Sequence, residues 1–232
     1  MATWLNMSFR ILYVTATDSE AASLKRVRGI IPVPGGYRFG DLVISMLVAG
    51  VGSVSSAWAM KQWFSINEKP DLAINGGIAG SFKDEIRTGD VVMPLTDCFA
   101  DAGIEDGENF ITLFEAGLVS ANEFPFRDGH ISADPVYCSR LKGILKPVTA
   151  ITVNTASGSE ATINKLIKKF NPDIETMEGA TFFYLCAREK IPFLAIRAIS
   201  NRVELRNKNK WNIALALDNM SEKLNEVFLT LE

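Results

Sequence analysis

Short apolar runs alternate with stretches of helical periodicity along most of the chain. Residues 10–17 read as a strand ending in small polar residues, and residues 42–49 as a second, stopped by Gly50-Val51-Gly52. Residues 53–64 predict a helix with Ser53 as its cap and Val54, Ala57, Trp58 and Phe64 on the inner side. A third strand, 71–75, runs straight into a glycine-rich loop at 76–80, and a short strand follows at 90–93. The polar stretch 97–147 is too long for an ordinary connection, which marks it as functional or as carrying small helices of its own. Regular patterning returns with a strand at 148–153, a helix opened by Ser159 and running to about Phe170, and a helix at 177–190. Residues 192–200 are almost continuously apolar, as in a strand covered on both faces. The last helix sets Leu217, Met220, Leu224, Val227, Phe228 and Leu231 on one face. Nothing in the pattern divides the chain. It predicts one α/β domain over residues 1–232, a mixed central β-sheet flanked by helices, with residues 1–8 as a flexible N-terminal extension.

Composition narrows the possible functions. At 232 residues and 47% hydrophobic content the chain can bury a full core without staples. Lys and Arg number 24 against 27 acids, and no basic stripe stands out, so a nucleic-acid partner is not expected. The longest apolar run, 42–51, is about half the ~20 residues of a membrane span, and the N-terminus lacks the layout of a signal peptide. Cys98, Cys138 and Cys186 are odd in number and far apart, which suits neither a disulfide framework nor a zinc site. The expectation is a cytoplasmic protein without a membrane partner. Its single histidine, His130, lies in a polar, turn-like stretch and reads as a solvated loop residue; two-histidine metal motifs are excluded. Neither a metal nor a cofactor is expected. Acid–base chemistry falls to carboxylates.

Three strand exits have unusual composition, and ligands of open α/β sheets gather beyond such exits. Thr15-Ala16-Thr17-Asp18-Ser19-Glu20 puts small residues before two acids, which equally suits the positive end of a helix. Asn75-Gly76-Gly77-Ile78-Ala79-Gly80 lets backbone approach a ligand, or simply makes a tight turn; it matches neither the dinucleotide fingerprint nor a P-loop. Glu175 and Glu178 straddle the start of a helix, and Glu178 is followed by Gly-Ala-Thr-Phe-Phe, a sequence unsuited to a surface. A carboxylate beside buried small residues is either paired or functional.

Taken together these segments resemble the nucleoside phosphorylase/nucleosidase superfamily over nearly the whole chain. The glycine segment is similar to that family's Asn-x-Gly-x-Ala-Gly loop, Thr176-Met177-Glu178 to its ribose-binding Glu-Met-Glu, and Arg197-Ala-Ile-Ser-Asn201 to its Arg-Ala-Ile-Ser-Asp. Within it the resemblance is closest to futalosine hydrolases. Phe99-Ala-Asp-Ala-Gly-Ile-Glu105, Asn122-Glu-Phe-Pro-Phe126 and Val153-Asn-Thr155 carry it into the irregular segment.

The resemblance implies a three-layer α/β/α fold, a small nucleoside substrate and a homo-oligomer with a dimer as minimal unit. It also implies residue roles. Glu20 corresponds to the acid that activates water, and no cation in residues 15–20 would hold phosphate, so hydrolysis is expected rather than phosphorolysis. Glu178 corresponds to the carboxylate that accepts hydrogen bonds from the ribose hydroxyls, with Met177 packed on the sugar. Gly77, Ile78 and Ser200 fall at substrate-binding positions; Ile78 stands where nucleosidases carry serine. Asn201 replaces the aspartate of adenine-releasing enzymes. Its amide can donate to a 6-oxo group that a carboxylate would repel, so Asn201 suits hypoxanthine, although an amide cannot pass on a proton. Asn201 can also be read as the cap of the following helix. The alternatives are a nucleosidase for methylthioadenosine, S-adenosylhomocysteine or aminodeoxyfutalosine, and a purine-binding protein without turnover. Phe99, Phe124, Phe126, Arg127 and Arg202 are within reach, by sequence, of a 5′ benzoate group.

Overall fold

The computed structural model describes residues 8–232. All but Ser8 of the expected N-terminal extension therefore lies outside the described residues. In chain order the elements are β1 (Phe9–Thr15), α1 (Asp18–Lys25), β2 (Ile31–Val33), β3 (Gly36–Phe39), β4 (Leu42–Val48), α2 (Ser53–Ile66) and β5 (Leu72–Ser81). There follow β6 (Val91–Asp97), β7 (Gly103–Asp106), β8 (Asn109–Thr112), β9 (Ile131–Ser132), α3 (Pro135–Leu141) and β10 (Lys146–Thr152). The chain ends with α4 (Glu160–Phe170), β11 (Ile174–Thr176), α5 (Gly179–Glu189), β12 (Phe193–Arg202) and α6 (Ile213–Leu231).

The main sheet runs β11-β10-β6-β12-β5-β1-β4-β3-β2, with β9 on β6. Parallel pairs β1–β4, β1–β5, β12–β5, β10–β6 and β10–β11 sit beside antiparallel ones, which makes the sheet mixed as expected. Because β11 also pairs antiparallel with β5, the strands β11-β10-β6-β12-β5 close into a ring. β12 and β5 are its longest members, and nine of the ten residues of β12 are buried, which accounts for its apolar sequence. α5 and α6 cover the sheet. Along α6, Leu217, Met220, Leu224, Val227, Phe228 and Leu231 are buried, the face expected from their spacing.

Three expectations need correction. The glycines of residues 76–80 are not a loop: β5 continues through them to Ser81. α2 has Gly52 rather than Ser53 as its cap, and it buries Ser56, Met60 and Phe64 while Val54 and Trp58 stand 83% and 70% exposed. Amphipathic assignment failed there because α2 carries apolar residues on its outer side as well. The irregular segment holds the small hairpin β7–β8 and the helix α3. His130 is half-buried in a turn, with its Nδ1 2.9 Å from the Asp128 carbonyl.

Candidate active site

Glu20 is placed by local sequence. Thr17 caps α1 and accepts from the Glu20 amide, while the Glu20 carboxylate folds back to the Thr17 amide, a reciprocal capping box. Oε2 accepts from the Ala16 and Thr17 amides at 3.1 and 2.9 Å and from the Thr17 hydroxyl at 2.9 Å. Oε1 accepts from the Ile78 amide at 3.0 Å, tying α1 to β5. That contact explains Gly77: a Cβ there would stand 2.7 Å from Glu20 Oε1. A carboxylate oxygen offers two acceptor sites, so Oε1 is the oxygen with capacity left for a ligand or water.

Glu178 is the N-terminal cap residue of α5, and its Oε1 accepts from the Gly52 amide at 2.8 Å, at the entry to α2. Burial holds its carboxyl above the usual carboxylate range; the Gly52 amide and Arg197 oppose this, and Glu20 adds to it. Beneath lies Arg197, only 2% exposed. Its guanidinium donates to the Asn75 carbonyl at 2.8 Å and to Asn75 Oδ1, so it is a fixed cation facing Glu178, Glu20 and Asp97 rather than a free anion site. Asp97 is 1% exposed, and burial pushes its carboxyl up to about 7 despite a hydrogen bond from the Thr152 hydroxyl at 3.0 Å. Thr152 in turn accepts from the Ala180 amide at 2.7 Å, which anchors the start of α5 and hence Glu178.

At the other end, Asn201 lies within β12, opposite Gly80, just past a register shift between Ile199 and Asn201. The helix-cap reading is therefore wrong; Asn212 caps α6. Ser200 donates to Asn201 Oδ1 at 2.7 Å, and Nδ2 donates to the Arg202 carbonyl at 2.8 Å. Glu175 is a residue of β11 rather than of a helix start. Its Oε1 accepts from the Ser157 amide at 2.9 Å and its Oε2 from the Ser157 hydroxyl. Burial raises its proton affinity and the two Ser157 donors lower it.

These groups open on one cleft of about 340 Å³. Glu20, Ile78, Met177, Glu178, Ser200 and Asn201 line it together; Gly77 lies behind the wall, against Glu20. Phe99, Phe124, Phe126, Arg127 and Arg202 are not among its lining residues. Glu175, Ser157, Val51 and Trp211 also line it, and sequence reasoning assigned none of them a role there. Val51 and Trp211 sit in segments without any local chemical signal; only the doubled acid, Glu175 beside Glu178, hinted at a third carboxylate. Three carboxylates and, among the described residues, no lysine or arginine line the cleft. Among the described residues no cluster of His, Cys, Asp or Glu is arranged to hold a metal ion, and no helix is long and apolar enough to cross a membrane.

A family model described as the phosphorylase superfamily matches residues 10–231. A futalosine hydrolase of Acidothermus cellulolyticus is 30% identical, over 91% of this chain and 87% of its own length. A 5′-methylthioadenosine/S-adenosylhomocysteine nucleosidase of Buchnera aphidicola is 26% identical, over 70% of this chain and 68% of its own. The solved structure of a futalosine hydrolase from Helicobacter pylori superposes with a TM-score of 0.75 at 15% identity, covering 96% of this chain and 98% of that one, which is a likeness of fold.

Proposed function

The chain belongs to the phosphorylase superfamily, and from that premise we propose that it hydrolyses the N-glycosidic bond of futalosine, releasing hypoxanthine for the alternative route to menaquinone. The observation that carries the hydrolytic reading is the charge of the cleft: Glu20, Glu175 and Glu178 line it, and among the described residues no cation does. Phosphate would meet like charge from these three groups, whereas water meets bases. As the glycosidic bond lengthens the sugar turns cationic, and anionic side chains stabilise that state more than the neutral substrate.

In this reading Glu20 takes a proton from water through Oε1 as the water attacks the anomeric carbon. Its Oε2 is held by three donors, so the carboxylate cannot swing away. Glu178 accepts from the ribose hydroxyls and orients the ring, with Met177 against the sugar. The buried Arg197 cation lets Glu20 and Glu178 share one site without mutual repulsion dominating. Asn201 gives one Nδ2 hydrogen to the Arg202 carbonyl and its other to O6 or N7 of the base, which leaves as an anion and takes its proton from solvent water.

A second reading, methylthioadenosine or S-adenosylhomocysteine nucleosidase, is favoured by the apolar lining from Val51, Trp211, Ile213 and Leu217, which suits a thioether tail. Asn201 weighs the other way, toward a 6-oxo base. The two are separated by incubating the protein with futalosine and with methylthioadenosine, with and without phosphate. Hypoxanthine release from futalosine at a rate independent of phosphate is expected; exclusive release of adenine rejects the substrate, and phosphate dependence rejects hydrolysis. The three cysteines are free and buried, which suits the reducing cytoplasm. The exposed Val51, Val54 and Trp58, next to the Gly52 amide that holds Glu178, supply an apolar face for a homodimer.

A further inference from the structure

We infer that Glu175 reads the N1 edge of the purine and, with Asn201, sets the preference for a 6-oxo base; this rests on the nucleoside reading above. The placement comes from strand register. Gly80 of β5 pairs with Glu175 of β11 on one side and with Asn201 of β12 on the other. Two strand spacings therefore separate the acid from the amide, roughly 10 Å, with bare backbone between them. A Cβ on Gly80 would stand 2.8 Å from Val203 and 3.3 Å from Asn201 Nδ2, so any larger residue would fill this gap. Both flanking side chains line the cleft, at 7% and 8% exposure. A flat bicyclic ring laid over Gly80 meets Asn201 on one edge and Glu175 on the next.

Chemistry fixes what each can recognise. A 6-oxopurine offers the O6 acceptor beside an N1–H donor; a 6-aminopurine offers an amino donor beside an N1 acceptor. An ionised carboxylate only accepts. Each Glu175 oxygen receives one hydrogen bond from Ser157, and none other among the described residues, leaving each an acceptor site. With Asn201 donating and Glu175 accepting, the pair matches hypoxanthine at both positions and opposes adenine at both. Ser157 then acts as a positioning residue, holding the carboxylate by amide and hydroxyl.

The competing role for Glu175 is a brace for the connecting segment at 155–158, and binding of hypoxanthine and 1-methylhypoxanthine distinguishes the two. The methyl group removes the N1–H and nothing else that hydrogen-bonds. Calorimetric titration of the full chain is expected to show roughly tenfold or more tighter binding of hypoxanthine, the loss typical of a hydrogen bond to a charged group. Glu175→Gln, which keeps the volume and an acceptor for the Ser157 amide, should shrink that ratio, and Glu175→Ala should bring it near one. Ser157→Ala removes the hydroxyl that holds Oε2 but keeps the amide on Oε1, and should lower the ratio less than Glu175→Ala does. Equal affinity of the wild type for the two bases, or variants that weaken both bases together at an unchanged ratio, overturns the inference alone. A wild type that neither releases nor binds hypoxanthine overturns the reading beneath it as well.

Discussion

The two ends of the cleft are held by different means. At the Glu20–Glu178 end the acids are fixed mainly by backbone amides, Ala16, Thr17 and Ile78 on one and Gly52 on the other, with a single hydroxyl from Thr17. At the Glu175–Asn201 end serine hydroxyls, from Ser157 and Ser200, supply one hold on each side chain, beside the Ser157 amide and the Arg202 carbonyl. A backbone donor survives any substitution that spares the fold, so the first end is as durable as β1, α1 and β5 themselves. A hydroxyl is lost with one side chain. The architecture thus fits invariant chemistry at one end and adjustable recognition at the other, consistent with a family whose matching relatives bear the names of two different nucleosidases.

The comparison breaks most visibly at Glu20. Glu20→Gln keeps an acceptor for the capping amides but loses the base and sets its NH2 against the Ile78 amide; kcat should fall by roughly 10²–10⁴, with the melting temperature lowered but the fold kept. A loss mainly in KM would instead place Glu20 in binding. Next in size is a change of preference at the recognition end. Asn201→Asp faces an acceptor toward O6, so the ratio of kcat/KM for futalosine over its 6-amino counterpart should drop about tenfold or more. If the ratio holds, Asn201 does not contact the base edge.

Last in its effect on activity, and confined to stability, is Asp97. A buried acid raised to about 7 binds a proton in the folded state that the unfolded chain has already released above its ordinary value of 3.8. Folding is then favoured at low pH, and stability declines as pH rises from about 4 toward 7, by up to about 1.4 kcal/mol per unit. The raised Glu178 and Glu175 carboxyls add in the same direction. Asp97→Asn should flatten the slope in denaturant titrations at pH 5, 6 and 7; an unchanged slope would remove Asp97 as its source.

How much of this was legible in the sequence follows the same division. Glu20, Glu178 and Asn201 stand in contiguous segments whose residue types state their chemistry. The strand order was less legible, because β11 and the β2–β3 hairpin are short and the closure of β11 onto β5 depends on distant partners. The glycines of β5 looked like a turn, since small residues usually punctuate chains; here they clear space for Glu20 and Asn201. Arg197 sits in an otherwise apolar strand, and nothing local shows that three acids surround it. Trp211, Ser157 and Val51 reach the cleft only through tertiary packing.

The central claim is met most directly by a crystal structure of Glu20→Gln with an uncleaved nucleoside bound. The account predicts the ribose diol within hydrogen-bonding distance of Glu178, the anomeric carbon facing residue 20, and the base lying between Asn201 and Glu175. A nucleoside bound in that cleft with its diol turned away from Glu178, or seated elsewhere on the molecule, would contradict it.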